Sequence, residues 1–148
     1  MMIFLTGLLA GFLDGTAATL LFMARGNKKP DVLFQYIASA VFEKAAFTGG
    51  FRMVLMGVLL HFLIAMTFTA IYFGLYSYIP WLEFHPLAAA AGYGLLVWVI
   101  MNLGVVPLSR AAPRPFSLVF ALINIGILIL AIGLPAAFLA RQYFLHLK

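Results

Sequence analysis

The chain contains no cysteine. Disulfides, thiol catalysis, iron–sulfur clusters and cysteine-type zinc sites are therefore excluded. Charge is also scarce: 9% of the residues are Asp, Glu, Lys or Arg, where soluble domains average about 25%. Acids are rarest, with Asp and Glu together numbering 4 in 148 residues. No glycine-rich phosphate loop, Gly-x-Ser-x-Gly elbow or His-Glu-x-x-His pair occurs, so the common NTPase, hydrolase and zinc-protease signatures are missing. The period-two alternation of a membrane barrel strand is missing too.

What remains is apolar, with 66% of residues hydrophobic. A small soluble fold has too much surface to hide such a fraction. The solvent must be lipid, and the length allows one membrane domain with no separate soluble module. The net charge of +5 comes from basic residues near the ends of apolar runs. That placement suits anionic headgroups rather than nucleic acid.

Four runs reach spanning length, at roughly 2–24, 53–79, 87–108 and 116–140, since a span needs about 20 apolar residues. The first run lacks a charged leader and a small-residue cleavage site, so it reads as a transmembrane helix and not as a cleavable signal. Between the first two runs, Pro30 starts an amphipathic helix at about 31–47. Asp31, Gln35, Ser39 and Glu43 recur every four residues along it as one polar stripe. This segment is short and polar for a span, and an interfacial or re-entrant helix is expected ahead of a fifth span. The predicted fold is all-α: a polytopic four-helix transmembrane bundle with one such amphipathic helix.

Basic residues set the orientation. Arg25, Lys28, Lys29, Lys44 and Arg52 follow the first run, and Arg110 and Arg114 follow the third. The other side has Arg141 and Lys148. The positive-inside rule then places 25–52 and 109–115 in the cytoplasm and both termini outside. Tyr76, Tyr78, Trp81 and Phe84 suit the outer interface. Pro107 and Pro135 are expected to kink or end the third and fourth spans.

Asp14 is the residue that asks for an explanation. A carboxylate at the centre of a spanning helix costs about 3 kcal/mol on insertion scales. Gly7, Gly11 and Gly15 form a GxxxGxxxG groove beside it, which turns the carboxylate toward protein. The groove serves either packing within the chain or assembly with a second protomer, as in a homodimer. Helical rise puts Asp14 about 15 Å, His61 about 12 Å, Asn102 about 9 Å and Asn124 about 12 Å from the basic end. Thr16 lies in the same zone. Each span thus supplies one polar side chain to a candidate layer. The layer either fixes helix register or binds a proton, a small cation or a polar substrate group. Gln35, Ser39 and Glu43 either face water or, on a re-entrant helix, gate access to Asp14. His61 has no second histidine at its depth for a haem, and an Asp–His pair is too few ligands for a catalytic metal. No cofactor or metal is expected, and no nucleophile–base pair marks an enzyme.

The stretches Gly11-Phe12-Leu13-Asp14-Gly15-Thr16-Ala17-Ala18, Gln35-Tyr36-Ile37-Ala38-Ser39 and Met101-Asn102 through Pro107-Leu108-Ser109 resemble those of small bacterial inner-membrane proteins with four predicted spans. That uncharacterised family has no established activity to carry over. The resemblance implies a bacterial cytoplasmic membrane and no mechanism. Two functional expectations follow. One is a small proton- or cation-linked transporter or channel using Asp14, His61, Asn102 and Asn124. The other is a non-catalytic accessory or scaffold protein assembling through the Gly7/Gly11/Gly15 face.

Overall fold

A computed structural model describes residues 1–26, 29–113 and 115–146. Among the described residues it is all-helical, with no strand. Four helices are long and apolar enough to cross a membrane: α1 (Met2–Ala24), α3 (Gly50–Tyr78), α5 (Pro86–Leu108) and α6 (Leu118–Leu145). Two others are short: α2 (Pro30–Phe42) between the first two spans, and α4 (Trp81–Phe84) in the turn before α5. This is the architecture of a multi-pass membrane protein. The expected Lys28, Arg114 and Lys148 charges lie outside the described residues.

Lipid offers no hydrophobic drive for helix association, so close backbone packing between small residues must supply it. The chain does this at two helix pairs. Along α1, Gly7, Gly11 and Gly15 lie against Met66, Phe62 with Ala65, and His61 of α3. The groove read from the sequence is therefore filled from within the same chain. In the second pair, a Cβ on Gly94 of α5 would come 2.6 Å from the Ile129 backbone of α6. A Cβ on Gly133 of α6 would in turn overlap the Ala90 carbonyl. The two pairs join where α6 packs on α1 and α3.

Pro107 stands one residue before the end of α5, in line with the expectation, while α6 runs on past Pro135 to Leu145. A π-helical stretch, Ile100–Val105, precedes Pro107, and another, Ile129–Gly133, precedes Pro135. Proline removes one backbone donor and its ring collides with the carbonyl four residues back. A widened turn absorbs that collision and lets the helix continue.

α2 begins at Pro30, whose fixed φ suits the first helical turn, with Asp31 favourably placed at the positive end of the helix dipole. It ends at Phe42, earlier than the 47 read from the sequence. Glu43 takes φ 53°, a left-handed backbone, and Glu43–Phe47 winds as a tighter 3₁₀ turn. α2 lies along α3 so closely that a Cβ on Gly57 would overlap the Phe34 carbonyl. Its far end is tied to the segment after α5. The Arg110 amide donates to the Ala40 carbonyl at 3.1 Å, and the Tyr36 hydroxyl donates to the Ala112 carbonyl at 2.9 Å. The segments following α1 and α5 thus share one end of the bundle, here called the basic end.

Packing is uneven along the bundle. Toward the opposite, aromatic end, Tyr72, Phe73 and Tyr76 of α3 are buried with Tyr93 and Val97 of α5 and Ile132, Ala136 and Ala137 of α6. Tyr72 meets Tyr93 edge-on at 4.7 Å, and Tyr76 stacks on Phe144 at 5.1 Å. Toward the basic end, no residue of Ile100–Leu108 is buried, and Leu128 is the buried residue of Leu118–Leu128. The α5–α6 pair is tight at the aromatic end and loose at the basic one.

The aromatic half offers a test of this packing. The Tyr93 hydroxyl donates to the Phe68 carbonyl, while the buried Tyr72 hydroxyl has no hydrogen-bond partner among the described residues. Tyr93→Phe should cost about 1 kcal/mol, and Tyr72→Phe should be neutral or stabilising, because it deletes an unsatisfied group. Thermal unfolding of the two variants in detergent checks the order.

Candidate functional site

α1 and α3 run antiparallel, and their register decides which polar residues meet. α3 starts at Gly50, before the 53 read from the sequence. His61 is then about 16 Å along α3 at 1.5 Å per residue, level with Asp14 at about 15 Å from the end of α1. Gly15 has no side chain, so the imidazole can lie flat against α1; a Cβ there would sit 3.0 Å from His61 Nε2.

His61 Nε2 is 2.8 Å from the Gly11 carbonyl oxygen. A carbonyl only accepts, so in the neutral ring Nε2 carries the hydrogen and Nδ1 is the bare acceptor. Asp14 Oδ2 is 4.0 Å from the same Nε2. That is too long for a hydrogen bond and close enough for a Coulomb contact once the imidazole is protonated. Both side chains are largely covered, at 11% exposed for His61 and 15% for Asp14. Asp14 accepts no hydrogen bond among the described residues, so the imidazole is its nearest polar partner.

The pair sits between two different spaces. His61 lines a cavity of about 290 Å³ between α1, α2 and α3, and Asp14 does not. Asp14 instead continues one turn along α1 from buried Ala10, on the face that enters the core. The cavity is closed on the α2 side by Phe34, whose ring meets His61 edge-on at 6.4 Å. Phe62 meets His61 on another side at 5.6 Å.

The other residues read from the sequence are placed as follows. Thr16 is exposed and its hydroxyl donates to its own helix, at Phe12 O, 2.8 Å away. It lines the cavity but faces away from Asp14, as two residues on a helix must. Asn102 is exposed, and its amide donates to Trp98 O at 3.0 Å within α5. Asn124 is half-buried on α6 and makes no hydrogen bond among the described residues. Of the four, Asp14 and His61 are the two that the structure brings within 4.0 Å of each other.

The stripe on α2 is not one functional face. Ser39 is buried, and its hydroxyl donates to Tyr36 O at 2.6 Å. Gln35 is half-buried. Glu43 is exposed and pairs with Arg110 at 3.3 Å. None of the three lines the cavity beside His61. Phe34, missed in the sequence because only polar positions were followed, is the α2 residue that reaches the pair. Its signal was Gly57 on the neighbouring span, a position that admits another backbone.

No group of three or more His, Cys, Asp or Glu residues able to hold a metal occurs among the described residues. No protein-family model, no curated protein and no solved structure matches this chain.

Proposed function

We propose that the protein is a proton-linked transporter or channel of the bacterial cytoplasmic membrane, with Asp14 and His61 as its proton-binding pair. The carrying observation is the 4.0 Å approach of an intramembrane carboxylate to an imidazole held by its Nε2 on the Gly11 carbonyl. Buried Asp and His in spanning helices serve typically as relay groups, because each carries a proton and each is costly to keep for packing alone. A proton fits this pair better than a metal cation, which needs more oxygen ligands than one carboxylate and one carbonyl.

The relay is written atom by atom. A proton adds to Nδ1 and makes the imidazolium. The Asp14 carboxylate closes from 4.0 Å to hydrogen-bond distance and takes the Nε2 hydrogen from the imidazolium, giving a neutral acid and a ring protonated at Nδ1. Loss of the Asp14 proton to one side of the membrane is followed by reset from the other, where Nδ1 gives up its proton and Nε2 takes one, so each cycle carries one proton and restores the Nε2–H form on Gly11 O. The excess of Lys and Arg assigns the basic end to the cytoplasm and both termini to the outside. The accessory reading through the Gly7/Gly11/Gly15 face is less well supported, since α3 covers that face.

Liposomes containing the purified protein should dissipate an imposed pH gradient faster than protein-free liposomes of the same lipid. Equal rates, with and without a candidate co-substrate gradient, would count against the reading.

A further inference from the structure

Asn102 carries more hydrogen-bonding groups than its own helix satisfies. One amide hydrogen goes to Trp98 O at 3.0 Å. The second amide hydrogen and Oδ1 have no partner among the described residues. The backbone carbonyl of Asn102 is short of a donor as well. An α-helical rung to it would come from Val106, whose N–H goes to Met101 O instead. A π-helical rung would come from Pro107, which has no N–H to give. Two acceptors and one donor on a single residue are left open.

Depth and neighbours set the solvent around these groups. α5 has 23 residues, about 34 Å at helical rise, against a hydrocarbon core of about 30 Å. Asn102 lies about 9 Å in from the basic end of α5, inside the hydrocarbon. It is exposed, and the surface around it is apolar: Leu103 is 68% and Leu108 89% exposed, with Val99, Ile100 and Val105 exposed beside them. Such a surface meets lipid, and an unsatisfied polar group there is costly. An acyl chain neither donates nor accepts. A carboxamide does both, so it is the complement of a copy of itself. Shape agrees with that partner. Val99, Ile100, Leu103, Gly104, Val105 and Leu108 line a shallow open groove, and nothing comes within 4 Å of the place a Gly104 Cβ would take. A second helix can approach closely at such a glycine. The Gly7/Gly11/Gly15 face cannot serve instead, because α3 fills it.

We infer that the protein forms a parallel homodimer through the basic half of α5, with Asn102 of each copy hydrogen-bonded to Asn102 of the other. Identical residues of two copies share one depth when the two-fold axis runs along the membrane normal, and a two-fold contact is self-complementary. The open amide hydrogen of each copy donates to Oδ1 or to the backbone carbonyl of the other, giving two equivalent bonds about the axis. Leu103 and Gly104 lie beside the axis, where the two α5 helices cross. The dimer does not depend on proton transfer by Asp14 and His61, which lie on α1 and α3.

Association in liposomes tests this. The chain has no cysteine of its own, so a single cysteine replacing exposed Phe84 carries donor or acceptor dyes. Energy transfer across a series of protein-to-lipid ratios should follow a monomer–dimer equilibrium. Asn102→Leu should weaken that equilibrium at least about tenfold, which corresponds to about 1.4 kcal/mol of bonding between spans. The variant puts an apolar side chain where the surface meets lipid, so it should fold, and helix content by circular dichroism checks that it does. A second measurement needs no change at Asn102. A lone cysteine replacing Leu103 should cross-link two copies under mild oxidation, and one replacing Leu63, exposed on α3, should not. Energy transfer no greater than that of randomly placed monomers at every ratio would overturn the inference. So would an Asn102→Leu equilibrium equal to the parent's, or cross-linking at Leu63 and not at Leu103.

Discussion

Asp14→Asn should slow gradient dissipation by about a hundredfold, the lower range for removing a positioned proton-transfer group. The amide has nearly the shape of the carboxylate and cannot accept a proton from His61 Nε2. The variant should fold. Asp14 accepts no hydrogen bond among the described residues, so none is lost, and a group costing about 3 kcal/mol at the bilayer centre is removed. Activity and stability should therefore move in opposite directions: flux falls while the unfolding temperature holds or rises. A purely structural Asp14 predicts the reverse, lower stability with flux unchanged. Measuring both on one preparation separates the two roles.

Gly57→Leu should detach α2 from α3. Even a Cβ at this position overlaps the Phe34 carbonyl, which belongs to a backbone and cannot turn aside. Overpacking of this kind costs about 1–3 kcal/mol where side chains can adjust, and more where they cannot. α2 is also tied at its other end through Ala40, Tyr36 and the Glu43–Arg110 pair, so it should swing away rather than unfold. The lack of native cysteine supplies a clean reporter. A single cysteine replacing buried Ala38 should be inert to maleimide in the parent and react at least about tenfold faster with Gly57→Leu, the ratio expected when about 1.4 kcal/mol of protection is lost. An unchanged labelling rate would show that α2 does not rest on Gly57.

The spans were legible because bilayer thickness dictates about 20 apolar residues, and this chain shows four such runs almost without charge. Asp14 with His61 was legible for a second reason. Depth fixed their heights, and the glycine groove fixed the side of α1 that meets α3. Asn102 shows where depth fails: height says nothing about azimuth. Asn102 sits inside the π-helical stretch before Pro107, whose extra residue per turn rotates the face away from any 3.6-residue pattern. Thr16 could have been set apart from the sequence alone, since residues two apart on a helix point to opposite sides. The stripe from Asp31 to Glu43 misled because equal spacing implies one face only while the helix lasts. α2 stops at Phe42, and its close approach at Gly57 buries Ser39 while leaving Asp31 and Glu43 exposed.

The account turns on the pairing of His61 with Asp14 inside the bilayer. Solid-state NMR of labelled protein in lipid measures it directly, through the imidazole nitrogen shifts and the distance from the Asp14 carboxyl carbon to His61 Nε2. The predicted result is an Nε2–H ring with bare Nδ1 in its neutral form, and a carboxyl carbon within about 5 Å of Nε2, the range over which such charges still couple strongly. An Nδ1–H ring, or an Asp14 carboxyl too far away for any dipolar contact, would contradict it.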